Sequence, residues 1–365
     1  MRTGNYVGIG DPGSGIGVYN RRMSRRRFLK ASALIGASAI AGLAAPAAAG
    51  LQQAPSGAAR KPIRIFMGGY GPPTTSFSLA MKMIGDRLEA KFGKDVEVKY
   101  VYNIIDLGYR GDDILWLVES GVLTLGYQSS SYLTDRVPDL GIADLPFLFS
   151  DGAKARAAMD GRFGRLLAAR TEARMNYRIL GWFENGFRHV SNRLRPIHVP
   201  ADMKGMTIRV LPSKVQERTF ALLGANPKVM DLSEVLPAVI AGTLDAQENP
   251  FANTVTYGLH KYHHFHTATN HFYLSRPIFL HRPSFDAWPK ALQEEFQAAV
   301  ADAVAYQRGL HIKEEEDAMV EIRKEGGTII ELTPAEHKAF VDAVTPIYGE
   351  TRGQYDRELL SLVSL

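Results

Sequence analysis

The chain of 365 residues contains no cysteine. This absence excludes disulfide bonds, zinc or iron–sulfur sites with cysteine ligands, and thiol nucleophiles. The sequence also lacks the G-x-S-x-G motif of serine hydrolases, and no pair of acidic residues is placed for acid–base catalysis. The common enzyme classes therefore find little support, although an exported enzyme stays open as an alternative.

An excess of charge of one sign is also missing from most of the chain. Residues 1–49 hold seven of the 43 basic residues and one of the 38 acidic residues, which leaves 36 against 37 and a formal charge near −1. A near-neutral body gives no support to nucleic-acid binding. The length and the 45% hydrophobic content are those of a globular protein with two domains.

The N-terminal segment has the pattern of an export signal. Residues 24–30 read Ser-Arg-Arg-Arg-Phe-Leu-Lys, an Ala-rich apolar run follows at 31–45, and 47–49 are three alanines. A basic region, a short apolar region and a small-residue cleavage site are typical of a secretory signal, and the twin arginines resemble the signal of the twin-arginine (Tat) route. We expect cleavage near Gly50 and a periplasmic protein. An uncleaved membrane anchor is the alternative, disfavoured by Pro46.

A glycine-rich motif lies in the segment before this signal. Residues 8–13 formally match G-x-G-x-x-G, but no strand precedes them, so the dinucleotide-binding interpretation fails. Met23 is an alternative start to Met1, and we leave residues 1–22 out of the fold prediction.

The first part of the body alternates between strand and helix patterns, which predicts a parallel α/β sheet. Ligands bind beyond the carboxyl ends of the strands in open sheets of this kind. The predicted strands are 63–69, 96–101 and 123–127, and the predicted helices are 76–92 and 112–119. The polar candidates at strand ends are Tyr70, Thr75, Tyr127, Gln128 and Ser130.

Later segments predict further helices, including an unusually long one. The pattern from 288 to about 324 runs without a breaker, roughly 50 Å at 1.5 Å per residue, which is long enough to bridge two domains. Further helices are predicted at 151–171, 214–223 and 234–241, the last with Ser233 as its cap, and another helix is predicted to follow a cap at Asn253 or Thr254. Further strands are predicted at 177–183, 206–211, 227–230 and 272–280.

One arginine stands in a short apolar strand, Met-Thr-Ile-Arg-Val-Leu at 206–211. Burying Arg209 without a partner costs several kcal/mol, and its planar fork suits a carboxylate. That carboxylate belongs either to the protein, as an internal ion pair, or to a ligand. Arg188 is a second arginine in an aromatic, strand-like setting.

Several motifs together resemble the extracytoplasmic solute receptors of TRAP transporters, the DctP-type family, over about residues 62–355. The resemblance implies an α/β fold of two lobes hinged around a cleft, with hinge strands and a long bridging helix. Its expected division is a signal at 1–49, a lead-in at 50–61, lobe I at 62–184 plus 274–312, and lobe II at 185–273 plus 313–365. The motifs are Pro-Phe-Leu-Phe (146–149), Gly-Phe-Arg (186–188), Lys-Gly-Met-Thr-Ile-Arg-Val (204–210), Ser-Glu-Val (233–235) and Gly-Thr-Leu-Asp-Ala-Gln-Glu-Asn-Pro (242–250).

The resemblance also implies the function and part of the site. By position, Arg209 matches the family arginine that pairs with the substrate carboxylate, and Arg188 matches the second family arginine. Asn249 matches the asparagine that orients the same carboxylate. Glu248 is a weaker candidate for ligand binding. We expect a monomeric receptor, without enzymatic activity or cofactor, that captures an organic acid for TRAP membrane subunits. A receptor of an ATP-driven importer is the other alternative. The candidate aromatic walls of the cleft are Tyr70, Tyr127, Trp182, Phe187 and Phe251.

Five histidines crowd residues 260–271, at positions 260, 263, 264, 266 and 271. His260 and His264 have the i, i+4 spacing of helical metal ligands, but no nearby glutamate completes a metalloprotease motif. We expect a solvated or hydrogen-bonded surface here rather than a metal site.

Overall fold

The structure is a computed structural model, and it describes residues 61–365. The predicted export signal and the G-x-G-x-x-G match lie outside this range. The strands are β1 (Ile63–Gly68), β2 (Val96–Val101), β3 (Leu125–Tyr127), β4 (Tyr177–Phe187), β5 (His189–Asn192), β6 (Thr207–Val210), β7 (Asn226–Val229), β8 (Ala246–Asn249), β9 (Phe265–Ala268), β10 (Tyr273–His281) and β11 (Thr328–Glu331). The helices are α1 (Ser76–Phe92), α2 (Asp113–Glu119), α3 (Gly152–Asp160), α4 (Arg162–Arg174), α5 (Lys214–Leu222), α6 (Leu232–Ile240), α7 (Phe251–Thr256), α8 (Arg282–Asp286), α9 (Lys290–Lys324), α10 (Pro334–Val344), α11 (Pro346–Thr351) and α12 (Arg357–Ser361).

The strands form two sheets, one in each lobe. The first has the order β2-β1-β3-β10-β4 and the second the order β11-β9-β5-β8-β6-β7. In the first sheet β1 pairs in parallel with β2 and β3, as the alternating pattern predicts, but β10 is antiparallel to both β3 and β4. The sheet is therefore mixed rather than parallel.

The antiparallel pair arises because two strands carry the chain between the sheets in opposite directions. β4 ends at Phe187 and β5 begins at His189, with only Arg188 between them, whereas β9 ends at Ala268 and β10 returns to the first sheet. The two crossings lie side by side, since Phe187 is the register partner of Tyr273 and the Arg188 N–H donates to the Phe272 carbonyl. These crossings form the hinge between the lobes.

Helix α1 shows how the sequence positions the first lobe. The Thr75 side chain accepts from the Ser78 N–H at the start of the helix, and Ala80, Ile84 and Leu88 lie on its buried face. An N-terminal cap of this kind satisfies an N–H group that has no partner within the helix. The predicted bounds of this helix are confirmed.

The long helix α9 has 35 residues and bridges both lobes, as predicted. Its first half packs Phe296 and Val300 into the core of the first sheet, and its second half packs Ala318 and Ile322 against Phe251 of the second lobe. The division of the chain into lobes at numbered boundaries stays a prediction. The C-terminal helices contribute Ile347, Leu359 and Leu360 to the core of the first sheet.

Three local predictions are wrong. The helix predicted at 151–171 is two helices, because the extended backbone of Gly161 separates α3 from α4. The cap of α6 is Asp231 rather than Ser233, because the Asp231 carboxylate accepts from the backbone of the first turn. Helix α7 begins directly after Pro250, so neither Asn253 nor Thr254 caps it.

Candidate functional site

Five of the nine predicted site residues line one narrow cavity of about 20 Å³, which we call the arginine cavity. Both lobes contribute to its wall, with Tyr70 and Gln128 from the first lobe and Arg209 and Asn249 from the second. Arg188 comes from the crossing between them. The convergence of separate strand ends at one point agrees with the general position of ligand sites in such folds.

A second narrow cavity of about 10 Å³, the tyrosine cavity, adjoins the first. It shares Tyr70, Tyr257 and Arg276 with the arginine cavity, and it adds the predicted residues Thr75 and Tyr127. Seven of the nine predicted residues thus line the two cavities.

The other two predicted residues lie elsewhere. Ser130 is fully buried, and its hydroxyl has no hydrogen-bond partner among the described residues. Its neighbour Ser129 lines the arginine cavity instead. Phe251 stacks on His189, with ring centroids 4.2 Å apart, and lines neither cavity. Of the five residues expected to form aromatic walls, Trp182 and Phe187 line other surface cavities, so only Tyr70 and Tyr127 line the two cavities described above.

Arg209 is a buried cation that has no acidic partner among the residues that the structure describes. Only 1% of the residue is exposed; its Nε donates to the Met230 carbonyl at 2.9 Å, and its Nη2 to the Tyr132 hydroxyl at 2.8 Å. Within residues 61–365, no carboxylate lies within 4.0 Å of its guanidinium. A guanidinium has five N–H donors, so neutral acceptors in the protein leave both its charge and further donors available to a ligand.

Arg188 has its acidic partner inside the protein. Its Nη2 donates to the side chain of Glu248 at 2.8 Å and to the Glu248 carbonyl at 2.6 Å, while its Nε donates to the other carboxylate oxygen. His271 Nε2 lies 3.3 Å from that same oxygen. Burial alone would raise the pKa of Glu248, but the Arg188 charge and the His271 hydrogen bond lower it. Arg188 is therefore neutralised internally, and its sharing of a ligand carboxylate with Arg209 stays a prediction.

Asn249 is held by a chain of side-chain hydrogen bonds. Its amide donates to the Gln247 carbonyl oxygen, and the Gln247 amide donates in turn to Ser191 at 2.7 Å and to Thr254 at 3.1 Å. All four residues are buried. A fully connected network of this kind fixes the position of Asn249 at the cavity wall.

The sequence prediction missed Arg276, which lies on β10 and lines both cavities. The signal was present, because the predicted strand at 272–280 is an apolar run with a single arginine, just as at Arg209. Tyr132, Tyr257 and Asn185 were missed as well. Their side chains carry no such signal, since a tyrosine or asparagine near a strand end is common.

The histidine cluster is buried rather than solvated, which corrects the prediction of a surface. His260, His263, His266 and His271 are each at most 6% exposed, and only His264 of the five is exposed. Burial lowers the pKa of His263 to about 3 and that of His266 to about 4. Within the described residues, no group of three or more potential ligands could hold a metal ion.

A larger surface cavity of about 580 Å³, lined by none of the three arginines, lies beside the end of the chain. Its wall includes Phe147, Phe187 and Leu362, and its only charged side chain in the described part of the chain is Lys154, which pairs with Asp151. This larger cavity has no guanidinium group in its described wall that could bind an acid, in contrast to the arginine cavity.

Comparison with known proteins gives one consistent result. The family model "DctP: Bacterial extracellular solute-binding protein, family 7" matches residues 67–354. A relative from Rhodobacter capsulatus, the "C4-dicarboxylate-binding periplasmic protein DctP", is 31% identical over 229 residues, 62% of this chain and 68% of the relative. No helix among residues 61–365 has the length and apolar character needed to cross a membrane.

Two solved structures share the fold. The sugar acid binding protein DctPAm from Advenella mimigardefordensis, in complex with galactonate, has a TM-score of 0.79 and 25% identity, covering 83% of this chain and 97% of that one. A TRAP periplasmic solute binding protein from Sulfurospirillum deleyianum with bound succinate has a TM-score of 0.78 and 26% identity, covering 82% and 98%.

Proposed function

The chain belongs to the DctP family of bacterial extracellular solute-binding proteins, and from that premise we propose that Arg209 holds the carboxylate of its solute in the arginine cavity. Family membership makes the protein a periplasmic receptor for organic acids that serves TRAP membrane subunits, and not an enzyme. The identity of the residues that bind the acid is the part we infer.

The observation that carries the proposal is the state of Arg209. A buried cation that no carboxylate of the described residues neutralises is costly. A ligand carboxylate would supply both charge and acceptors in a geometry that suits the guanidinium fork. Of the three arginines in the cavity wall, Arg188 already forms an ion pair with the Glu248 carboxylate. Asn249 lies in the same wall, where the second N–H of its amide, beyond the one donated to Gln247, would orient the bound carboxylate.

Closure of the two lobes completes the site. Asp231, in the second lobe, accepts from the backbone N–H groups of Gly111 at 3.0 Å and Asp112 at 3.1 Å, which precede α2 in the first lobe. These bonds form only when the lobes are together. A ligand that contacts both lobes therefore favours the closed form, by the usual linkage between binding and conformation.

The test compares Arg209→Gln with a surface control. A thermal-shift screen over mono-, di-, keto-, sugar and aromatic acids first identifies a ligand, because a ligand that binds only the folded state raises Tm. Calorimetry with that ligand should then show an affinity loss of roughly a hundredfold or more for Arg209→Gln. Arg218→Gln removes an exposed arginine paired with Glu350 and should leave the affinity unchanged. Unchanged binding by Arg209→Gln would contradict the proposal.

Export by the Tat route and a monomeric state complete the proposal. The support for Tat export is the twin-arginine sequence at 24–30. Replacing Arg25 and Arg26 by lysine should stop export to the periplasm, which cell fractionation measures, and continued export would point to another route. Sedimentation of the mature protein checks the monomer, and a concentration-independent dimer would contradict it.

A further inference from the structure

A short segment of the first lobe, residues 131–134, which we call the clasp, reaches the strand that carries Arg209. Its Leu133 is fully buried in the core of the first sheet, whereas Arg209 lies on β6 of the second sheet. The Tyr132 hydroxyl accepts from the Arg209 Nη2 at 2.8 Å. The other acceptor of this guanidinium among the described residues is the Met230 carbonyl, directly after β7 of the second sheet. One of the two acceptors therefore comes from the opposite lobe.

Two further hydrogen bonds join the clasp to the same part of the second lobe. The Ser131 hydroxyl accepts from the Gln216 amide at 3.0 Å, and the Gln216 carbonyl oxygen accepts from the Leu211 N–H, directly after β6, at 3.2 Å. The Thr134 hydroxyl shares its proton between the Ser131 carbonyl at 2.9 Å and the Pro212 carbonyl at 3.1 Å. The bonds to Gln216 and Pro212, like the bond to Arg209, form only when the lobes are together.

A carboxylate holds the clasp in place within the first lobe. The Ser131 hydroxyl donates to the Asp144 carboxylate at 2.7 Å, and both residues are fully buried. Because Asp144 takes the hydroxyl proton, the Ser131 oxygen can meet Gln216 only as an acceptor. A connected polar network of this kind fixes the geometry of its members. The clasp is thus oriented by a bond that does not depend on the second lobe.

The Tyr132 bond acts on the arginine that we assign to the solute carboxylate. An arginine side chain has many rotamers, and ordering it costs entropy when a ligand binds. With the lobes apart, Arg209 keeps the Met230 carbonyl and loses the Tyr132 hydroxyl, so its planar fork is less well fixed. Burial raises the pKa of Tyr132, against the influence of the Arg209 charge. The hydroxyl therefore stays neutral, and it orients the cation without neutralising it.

We propose that Tyr132 is a positioning residue, which holds Arg209 in its carboxylate-binding orientation from the opposite lobe. The inference rests on the proposed role of Arg209, and it makes the strength of carboxylate binding depend on closure. The Asp231 bonds, by contrast, join the lobes through the backbone of Gly111 and Asp112. Because the clasp meets Arg209 only after closure, it slows release of the acid and leaves the rate of capture unchanged.

The binding kinetics of Tyr132→Phe test the proposal. Galactonate and succinate, which are bound in the two solved structures of similar fold, are the first probes, and the tightest-binding acid of the screen replaces them if neither binds. Loss of a hydrogen bond to a charged group should raise the dissociation rate roughly tenfold. The association rate should stay within about twofold of the wild type. Stopped-flow measurements on the mature protein give both rates.

A second variant and a matched control separate this effect from general damage. Thr134→Val keeps the shape of a residue outside the wall of the arginine cavity, and it should raise the dissociation rate about threefold, which Thr134→Ser restores. Tyr177→Phe removes a buried hydroxyl that donates to the Leu115 carbonyl at 2.6 Å within the first lobe. It should lower Tm and leave the dissociation rate unchanged.

A double-mutant cycle tests whether Tyr132 acts through Arg209. In Arg209→Gln the hydroxyl has no guanidinium to hold, so adding Tyr132→Phe should change Kd by less than about twofold. A full additional loss would mean that Tyr132 contacts the acid itself, and it would overturn the positioning role.

Failure of this inference differs from failure of the proposed function. If Arg209→Gln weakens binding while Tyr132→Phe and Thr134→Val leave the dissociation rate unchanged, the clasp has no part in binding and the role of Arg209 stands. If no organic acid binds the wild type at all, the proposed function fails together with the inference.

Discussion

Replacing Glu248 by glutamine separates the internal role of Arg188 from a ligand-binding role. The Glu248 carboxylate is fully buried, and both its oxygens take part in bonds with Arg188. Removing one partner of a buried ion pair costs about 3–5 kcal/mol, because the other charge is left uncompensated. We therefore expect Glu248→Gln to lower the free energy of unfolding by about this amount.

Urea unfolding of the ligand-free protein measures this loss, and Glu350→Gln is the matched control. Glu350 pairs with Arg218 at the surface, where an ion pair contributes about 1 kcal/mol or less. The ligand should also stabilise the Glu248→Gln variant more than the wild type if its carboxylate can reach Arg188. A loss below about 1 kcal/mol for Glu248→Gln would refute the assignment of this pair as a buried, mutually dependent unit.

Two further predictions concern acid stability and closure. Burial lowers the pKa of His189 and His263 to about 3 and that of His266 to about 4. The stability that these neutral rings contribute to the folded protein is therefore complete above the ordinary histidine pKa of about 6.5, and it is lost as the pH falls below that value. At pH 5 the loss in the free energy of unfolding is about 2 kcal/mol per histidine. Asp144 offsets about 1 kcal/mol of this loss in total, because burial raises its pKa to about 6 and its folded form gains a proton as the pH falls. Urea midpoints measured from about pH 7.5 to 5 should fall steadily, and a flat profile would contradict the burial of these rings. Asp231→Asn weakens the bonds to Gly111 and Asp112 and should raise Kd about threefold to tenfold without contact to the ligand; an unchanged Kd would exclude a part in closure.

Local patterns were enough to predict much of the fold. The strand at 63–69, helix α1 and the long helix α9 followed from periodicity, caps and the absence of breakers. The antiparallel direction of β10 was not predictable from such patterns, because it depends on where the chain returns from the second sheet. The break at Gly161 had a visible signal, whereas the cap of α6 required knowing which of Asp231 and Ser233 has extended backbone geometry.

The site was predictable to the extent that buried charge leaves a trace in the sequence. Arg209 was found because one arginine interrupts an apolar strand, and Arg276 could have been found by the same rule. The pairing of Arg188 with Glu248 could not be seen from spacing, since the two residues are 60 positions apart and meet through the pairing of β5 with β8. Ser130 shows that a position at a strand end does not decide which way a side chain points, and Phe251 shows that an aromatic residue near the site in sequence need not line it.

A crystal structure of the mature protein with the tightest-binding acid from the screen tests the central claim most directly. We predict that a carboxylate of the ligand accepts hydrogen bonds from the Arg209 guanidinium at about 2.7–2.9 Å, the distance of charge-assisted bonds, with Asn249 beside it. A ligand whose carboxylate lies outside the arginine cavity, or that contacts Arg209 only through neutral groups, would contradict the account.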